Sequence, residues 1–295
     1  MNATDVIEAF SMPSWNGPIS EADRARALTA LEDGKVVMVP GLEFRLHEGE
    51  YPFLDAGALD NSRKNISYDP RAGKCGGSGV SGPELERLTI MMDRYATSAD
   101  HLVRLMLPSY APHLEVARTS FRPAEIGGRV YSPRHDDRRL HVDAFPTRPT
   151  GGRRILRVFT NAAPDGALRR WRVGEPFPDF AAAFLPRVRG MFPFQSLAMS
   201  MLGLTKGRRT RYDQCMLGLH DTCKLDMKYQ EIAPQADVVF AAGTTWMCYT
   251  DQVLHAALAG HCAFEQTFHV PVEAMASPEK SPLKVLERLS GRRLV

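Results

Sequence analysis

The sequence predicts an α+β fold with a jelly-roll, cupin-like core of short strands and with flanking and inserted helices. From Leu114 onward, short runs rich in β-branched and aromatic residues are separated by Pro and Gly. Before Leu114, and again from about 180 to 229, apolar residues recur at helical spacing. Many short strands with turns between them and helices around them are typical of barrels and jelly rolls.

The N-terminal third is predicted to be mixed α/β. Ser20 is the expected N-cap of a helix that Gly34 ends, and the run VVMVP that follows predicts a short buried strand. The Gly- and Ser-rich segment 61–82 predicts a long loop. Apolar residues at helical spacing from Pro83 to Leu107 predict one long helix or two short ones.

The core strands are predicted from seven runs, four before the helical interval and three after it. They are LEVARTSFRP, RLHVDAF, RRILRVFTNAAP, RRWRVGEPF, ADVVFAAGTTWMCYT, QVLHAALAG and AFEQTFHVPVE. We therefore expect a single domain over 1–295. A mixed N-terminal part of about 1–110 would pack on a jelly-roll core of about 111–275, with a helical insert near 180–229 and a C-terminal tail or helix over 276–295.

Composition excludes several classes of protein. With 295 residues, 44% hydrophobic and 24% charged, the chain is neither disordered, nor collagen, nor a coiled coil. It contains no run of the roughly 20 apolar residues that a membrane-spanning helix needs. Its start, MNATDVIEAF, lacks the pattern of a signal peptide, so we expect a cytoplasmic protein. Five cysteines without a C-x-x-C pair argue against a disulfide framework or a zinc ribbon.

Positive charge is concentrated in one part of the sequence. From Arg134 to Arg172 there are ten arginines, no lysine and four acids. Because guanidinium binds carboxylate and phosphate bidentately, this zone suits an anionic small ligand as well as nucleic acid. Few aromatic residues, Phe145, Phe159 and Trp171, interleave the zone, so base stacking has little support and we expect no nucleic-acid partner.

His141 and Asp143, in RLHVDAF, are candidate metal ligands. On a strand, residues i and i+2 point to the same face, so this imidazole and this carboxylate would converge. A His-x-Asp pair alone is weak, and it needs a third ligand from a late strand of the same barrel. His255, in QVLHAALAG, lies 112 residues after Asp143 and supplies it. Two His and one carboxylate leave three positions open on Fe(II), enough for a bidentate 2-oxo acid and O2.

Arg157, in RRILRVFTN, is the candidate for the far carboxylate of such an oxo acid. Strand alternation places it on the face of Ile155 and Phe159 and opposite to Arg154. A buried arginine in an apolar strand is costly unless it meets an anion. The alternative for Arg157 is an ion pair with an acid of the barrel wall.

Other histidines compete for the metal. His135 and Asp137 also form a His-x-Asp pair, but the charged run SPRHDDRR predicts a turn. His261 and His269, near the last strand, are second choices for the distal ligand. The pair His220-Asp221 is expected on a helix, where neighbouring side chains diverge and cannot chelate one metal.

Five strings together resemble the Kdo hydroxylases of Gram-negative bacteria, where Kdo is 3-deoxy-D-manno-oct-2-ulosonic acid. They are KNISYDP, RTSFRP, DDRRLHVDAFPTRPTGGRRILRVFTNAAPDGALRRWRVGEPF, YDQCMLGLHDTCKLDMKYQ and GTTWMCYTDQVLHAALAGHCAFEQTFHVPV. The resemblance covers about 35 to 275. It implies a double-stranded β-helix fold and a dioxygenase dependent on Fe(II) and 2-oxoglutarate, with O2 as second cosubstrate. The implied reaction hydroxylates C3 of a Kdo residue on a lipopolysaccharide precursor to give Ko, and the implied metal ligands are His141, Asp143 and His255.

The resemblance also implies where the cosubstrate and substrate bind. Many enzymes of this superfamily have an arginine about ten residues after the distal His, where this chain has Glu265 and Gln266. Arg157 is therefore expected to form the salt bridge, with Gln266 as a second cofactor-binding residue. Kdo is an acid beside lipid A phosphates, so cationic and polar residues are expected to bind it. The candidates are Lys64, Asn65, Arg122, Arg129 and Arg134.

The substrate class adds one expectation about location, and two alternatives for the function stay open. Because a Kdo glycolipid lies in a membrane leaflet, peripheral contact with the inner membrane at its cytoplasmic face is expected. The alternative is a non-catalytic, cupin-like binder of an anionic sugar or nucleotide, or a dioxygenase with another substrate. A binder would hold no stoichiometric iron and consume no 2-oxoglutarate.

Overall fold

The computed structural model describes residues 1–60, 63–127, 131–188 and 208–295. Its strands are β1 Ile7–Ala9, β2 Val36–Val39, β3 Ile66–Asp69, β4 Lys74–Gly76, β5 Glu115–Arg122, β6 Arg154–Asn161, β7 Arg169–Gly174, β8 Gln235–Phe240, β9 Thr245–Tyr249, β10 His255–Ala259 and β11 Ala263–Val270. Its α-helices are α1 Ala3–Val6, α2 Glu21–Glu32, α3 Gly82–Met106, α4 Phe177–Phe184, α5 Arg211–Leu225, α6 Met227–Ile232 and α7 Pro282–Ser290. Short 3-10 helices lie at Glu48–Leu54, Ala56–Ala58, Ala111–His113, Pro133–His135, Leu185–Arg187, Val272–Ala274 and Pro278–Lys280.

Two sheets form the core of the described structure. The large sheet has the order β1-β2-β9-β6-β11-β5-β3-β4, and the small sheet has the order β10-β7-β8. From β5 to β11 the chain passes repeatedly between them, since β6, β9 and β11 belong to the large sheet and β7, β8 and β10 to the small one. This winding is that of a jelly roll, so the predicted fold class is confirmed.

Aromatic residues fill the space between the sheets. Phe159 and Trp246 of the large sheet pack against Trp171 and Phe240 of the small one. The rings of Phe240 and Trp246 stack with centroids 3.9 Å apart, and Phe159 meets Trp171 edge to face at 5.0 Å. Burial of such large apolar side chains is the main stabilising contribution between the layers.

Helices α2 and α3 begin and run as the sequence predicts. The Ser20 hydroxyl accepts a hydrogen bond from the Asp23 backbone N–H at 3.0 Å and so caps α2. Helix α3 is one long helix that covers the large sheet. Its fully buried Tyr95 packs 4.8 Å from the Phe264 ring and donates its hydroxyl to the Val158 carbonyl at 3.2 Å.

The loop predicted over 61–82 is partly wrong, because the segment contains the hairpin of β3 and β4. Strand β3 alternates in burial, with Ile66 and Tyr68 inward, and pairs antiparallel with β5. The Gly and Ser residues that suggested a loop lie mainly in the hairpin turn and beyond β4. Strand pairing with the neighbouring sheet edge therefore overrides local composition.

Two other predicted strands differ in detail. The run RLHVDAF is not a strand, since it contributes a single antiparallel bridge between His141 and His255. The run ADVVFAAGTTWMCYT contains two strands, β8 and β9, one in each sheet. The predicted helical insert contains α4 at its start and then α5 and α6, while 189–207 lie outside the described residues.

Arg154 anchors the turn that precedes the site. It is fully buried and donates to Asp251 at 2.7 Å and to the Gln252 side chain at 2.6 Å. As predicted, it faces the opposite side of β6 from Arg157. Because both charges are buried and hydrogen-bonded, this pair fixes the segment between β9 and β10.

The C-terminal part contains the helix α7. The division of a single domain into an N-terminal part, a jelly-roll core and a C-terminal tail or helix stays a prediction. Within the described ranges, no helix is long and apolar enough to cross a bilayer.

Candidate active site

Backbone hydrogen bonds bring the three predicted metal ligands together. The His141 N–H donates to the His255 carbonyl at 3.1 Å, and the His255 N–H donates back to the His141 carbonyl at 2.9 Å. Two residues on, the Asp143 N–H donates to the Thr250 carbonyl at 2.8 Å. One ligand atom from each of the three side chains lies within 4.8 Å of the others, and no other such group of three occurs among the described residues.

Each imidazole is oriented by a carbonyl oxygen. His141 Nδ1 lies 2.7 Å from the Arg139 carbonyl, and His255 Nδ1 lies 2.9 Å from the Val253 carbonyl. Because a carbonyl only accepts, both Nδ1 atoms carry the proton, and both Nε2 lone pairs are left for a metal. The ring of Trp171 also stacks on the ring of His255 at 5.2 Å.

The ionisation of the ligands suits a divalent cation. Burial lowers the pKa of His141, and the neighbouring His255 lowers it further; burial likewise lowers the pKa of His255. Burial raises the pKa of Asp143, but Arg157 and the two imidazoles outweigh it, so this pKa lies well below its usual range. The site therefore presents two neutral imidazoles and one carboxylate at neutral pH.

Asp143 provides the test of whether a metal fits. Its Oδ2 atom is buried and has no hydrogen-bond partner in the described structure. Its ion pair with Arg157, at 3.3 Å, leaves this buried oxygen without a hydrogen bond, and a cation held by two imidazoles and this carboxylate would supply the missing partner. This donor set with open positions is the one that non-heme Fe(II) oxygenases use.

The ligands lie in a cavity of about 520 Å³. Phe145, Phe159 and Trp171 form much of its apolar wall, and α5 lines it from the other side through His220 and Lys224. Most of the other lining residues are polar or charged, so the concave site suits a small polar or anionic molecule.

Arg157 lies in this cavity, as its strand face predicts, and it already has two acidic partners. Its guanidinium is 3.3 Å from Asp143 Oδ2 and 3.0 Å from Glu265 Oε1. The pair with Glu265 is the barrel-wall ion pair that the sequence analysis left open as the alternative. Arg157 therefore contacts the predicted metal ligand Asp143 directly.

Arg169 is a cavity residue that sequence reasoning missed. It is 6% exposed, donates only to the Gly260 carbonyl at 2.9 Å, and leaves its Nε unsatisfied. No carboxylate in the described structure pairs with it. Burial and the nearby Arg122 lower the pKa of Arg169 to about 9, so it is still a cation at neutral pH. The alternation of Arg169, Trp171 and Val173 along β7, all buried, is the signal that identifies it.

The predicted substrate residues lie at the rim, with one outside the described residues. Lys64, Arg122 and Arg134 line the cavity, and Asn65 accepts a hydrogen bond from Arg122 at 2.9 Å. Arg134 is half exposed and pairs with Asp221 at 3.3 Å. Arg129 lies outside the described residues.

Gln266 is not placed to bind a cofactor, and this prediction is corrected. Its side chain is fully buried and does not line the cavity, whereas the adjacent Glu265 does. Its amide oxygen accepts from the Thr119 hydroxyl at 2.5 Å, and its amide nitrogen donates to backbone carbonyls. Strand alternation directs it away from the site, and its hydrogen-bonding groups are satisfied there.

None of the competing histidines belongs to the group of three predicted ligands, although His135 and His220 line the same cavity. His135 ends a 3-10 turn, as the charged run predicts. His261 pairs with Glu125 and Asp165, and His269 lies 3.3 Å from the Arg154 carbonyl. His220 packs edge to face on the His141 ring at 5.4 Å.

Comparison with known proteins agrees with this geometry. The family model for 3-deoxy-D-manno-oct-2-ulosonic acid (Kdo) hydroxylase matches residues 14–293. A crystal structure of the Kdo hydroxylase KdoO, described as a non-heme Fe(II) alpha-ketoglutarate-dependent dioxygenase in complex with alpha-ketoglutarate and Fe(III), is 45% identical. The match covers 98% of this chain and 97% of that chain with a TM-score of 0.95.

Two further structures of KdoO match over the same shares of both chains at 45% identity. One is a complex with cobalt(II), with a TM-score of 0.96, and one is a complex with succinate and Fe(III), with a TM-score of 0.95. No curated protein matches the chain.

We expect His141→Ala, Asp143→Ala and His255→Ala each to weaken cobalt(II) binding at least about a hundredfold. Loss of a direct ligand should cost more than the 10–100-fold typical of an outer hydrogen-bond partner. Titration of the visible cobalt spectrum measures the affinity, and circular dichroism checks the fold. His269→Ala is the control and should bind cobalt(II) like the unchanged protein. Normal binding by His255→Ala together with loss in His269→Ala would reassign the distal ligand.

Proposed function

The chain belongs to the Kdo hydroxylase family, and from this we propose that it hydroxylates C3 of a Kdo residue carried on a lipopolysaccharide precursor. It is an Fe(II)- and 2-oxoglutarate-dependent dioxygenase, like its 45% identical relative. The observation that carries the proposed site is the convergence of His141, Asp143 and His255 in one cavity.

The proposed site residues have different roles in the reaction. His141, Asp143 and His255 would hold Fe(II), which with 2-oxoglutarate and O2 supplies an oxidation that yields succinate and CO2 and transfers one oxygen atom to the sugar. The carbonyls that orient both imidazoles keep the ligand geometry fixed before the metal binds. Phe159 and Trp171 line the cavity with apolar rings, and Trp171 stacks on His255, so water would find few hydrogen-bond partners at this wall.

The function is tested with the protein, Fe(II), 2-oxoglutarate, O2 and a Kdo-terminated lipid A precursor. We expect a product heavier by one oxygen atom, with the new hydroxyl at C3 by NMR and one succinate per product. Asp143→Ala should form neither. Succinate without sugar oxidation, or oxygen at another carbon, would contradict the proposal, and no consumption of 2-oxoglutarate would favour the non-catalytic binder.

Two guanidinium groups are candidates for the far carboxylate of 2-oxoglutarate. Arg157 is largely neutralised by Asp143 and Glu265, whereas Arg169 has no acidic partner in the described structure. Arg169 is two residues from Trp171, so both side chains lie on one face of β7 about 6–7 Å apart. Since the Trp171 ring stacks on His255, this spacing suits a five-carbon dicarboxylate that reaches the metal ligands. We therefore propose that Arg169 forms the salt bridge and that Arg157 orients Asp143.

Conservative substitutions distinguish the two assignments. Arg169→Lys should raise the Kd of 2-oxoglutarate at least about tenfold in the cobalt(II) protein, because an ammonium cannot replace a bidentate fork. Cobalt(II) affinity should not change. Arg170→Lys, on the exposed face of the same strand, is the control. A tenfold rise in Arg157→Lys with no change in Arg169→Lys would restore the assignment made from the sequence.

Contact with a membrane is the third part of the proposal. Leu225, Met227 and Ile232 expose 47%, 51% and 68% of their surface. They lie at the end of α5 and along α6, and α5 also lines the cavity through Lys224. A lipid-linked substrate would reach the cavity from a bilayer that buries these apolar side chains. The cytoplasmic location expected from the sequence stays a prediction.

Ile232→Ser should lower partition onto phosphatidylethanolamine–phosphatidylglycerol vesicles by about tenfold. Burying an isoleucine side chain stabilises by about 1.5–3 kcal/mol, so loss of most of that contact is measurable by sedimentation. Ile90→Ser, on α3, is the matched control because Ile90 is 56% exposed. Equal loss in both variants, or no loss in either, would argue against this surface.

A further inference from the structure

Asp137, at the rim of the cavity, is surrounded by more positive charge than it can neutralise. Its carboxylate lies 3.0 Å from Arg122, 3.7 Å from Lys64 and 4.0 Å from Lys224. Burial raises the pKa of Asp137, but Arg122 and Lys64 outweigh it and hold this pKa at about 2. Three cations therefore surround this one carboxylate at the cavity, with Asp136 as a more distant acidic neighbour of both lysines.

Lys224 is the least satisfied of these cations. Its side chain is 2% exposed, and the described residues provide no hydrogen bond to its ammonium group. The carboxylate oxygen of Asp137 at 4.0 Å is beyond hydrogen-bonding distance. A buried ammonium with so little compensation is costly, so a further anion at this place would stabilise it.

Lys224 is also close to the metal ligands. It lies one helical turn after His220 on α5, so the two side chains share a face of the helix. The His220 ring packs on the His141 ring at 5.4 Å, and both His220 and Lys224 line the cavity. An anion bound by Lys224 would therefore sit beside the ligand cluster.

We propose that Lys224, with Arg122 and Lys64, binds the carboxylate of the sugar acid and thereby selects an acidic sugar. This inference rests on the proposed function. The carboxylate carbon of Kdo is bonded to C2, and C2 is bonded to C3, so a fixed carboxylate limits where C3 can lie. Lys224 is thus a specificity-determining residue, and Asp137 holds the three cations in place around the binding position.

The test compares a charged and an uncharged form of one probe. The probes are the methyl glycoside of Kdo and its methyl ester, offered to the full-length enzyme with Fe(II), 2-oxoglutarate and O2. We expect Lys224→Met to raise the KM of the acid at least tenfold, and to leave the ester, already a poor substrate, within twofold. The Kd of 2-oxoglutarate in the cobalt(II) protein should also stay within twofold. Lys228→Met, which removes an exposed lysine of α6, is the control and should not alter any of these values.

Each outcome has one meaning. If the unchanged enzyme oxidises neither probe and no Kdo glycolipid, the proposed function fails, and this inference fails with it. If the enzyme uses acid and ester equally well, or if Lys224→Met weakens both equally, the function stands and carboxylate recognition by Lys224 is wrong. If Lys224→Met instead weakens 2-oxoglutarate binding, Lys224 belongs to the cosubstrate site and the inference is overturned.

Discussion

The pair of backbone hydrogen bonds between His141 and His255 is the constraint on which the site depends. It joins a segment that has no strand partners of its own to β10, and it does so at the two residues that carry the imidazoles. The bond from the Asp143 N–H to Thr250 then fixes the third ligand. The buried pair of Arg154 and Asp251 holds the turn between β9 and β10 that contains Thr250. The fold therefore sets the ligand geometry before any metal binds.

Charge in the cavity follows from how each cation is partnered. Arg157 is compensated by Asp143 and Glu265, and it therefore acts on the ligands. Arg169 and Lys224 are buried with little or no compensation, so each is a position where an anion would be stabilising. The two lie on different elements, β7 and α5, and the reaction has two acidic reactants. Assigning one cation to each reactant is the simplest account of both.

The sequence predicted that His141, Asp143 and His255 lie together, and strand alternation predicted the face of Arg157. His141 and Asp143 do not converge on a strand, however, because single backbone hydrogen bonds to His255 and Thr250 position them. Arg169 was missed because RRWRVGEPF holds three arginines, and only the inward positions of Trp171 and Val173 identify which one is buried. The prediction for Gln266 was wrong because Glu265, its neighbour on β11, occupies the inward face. Lys224 was not predicted because its position in the cavity depends on how α5 packs there, and the local sequence pattern does not encode that tertiary arrangement.

The central claim is that this cavity binds iron and 2-oxoglutarate together through His141, Asp143 and His255. Anaerobic titration of the protein with Fe(II) and 2-oxoglutarate, followed by the visible charge-transfer band of the chelate, tests it most directly. We predict a band that saturates at one iron and one 2-oxoglutarate per chain and that is absent in Asp143→Ala. Absence of the band at saturating concentrations, or a band unchanged in Asp143→Ala, would contradict the account.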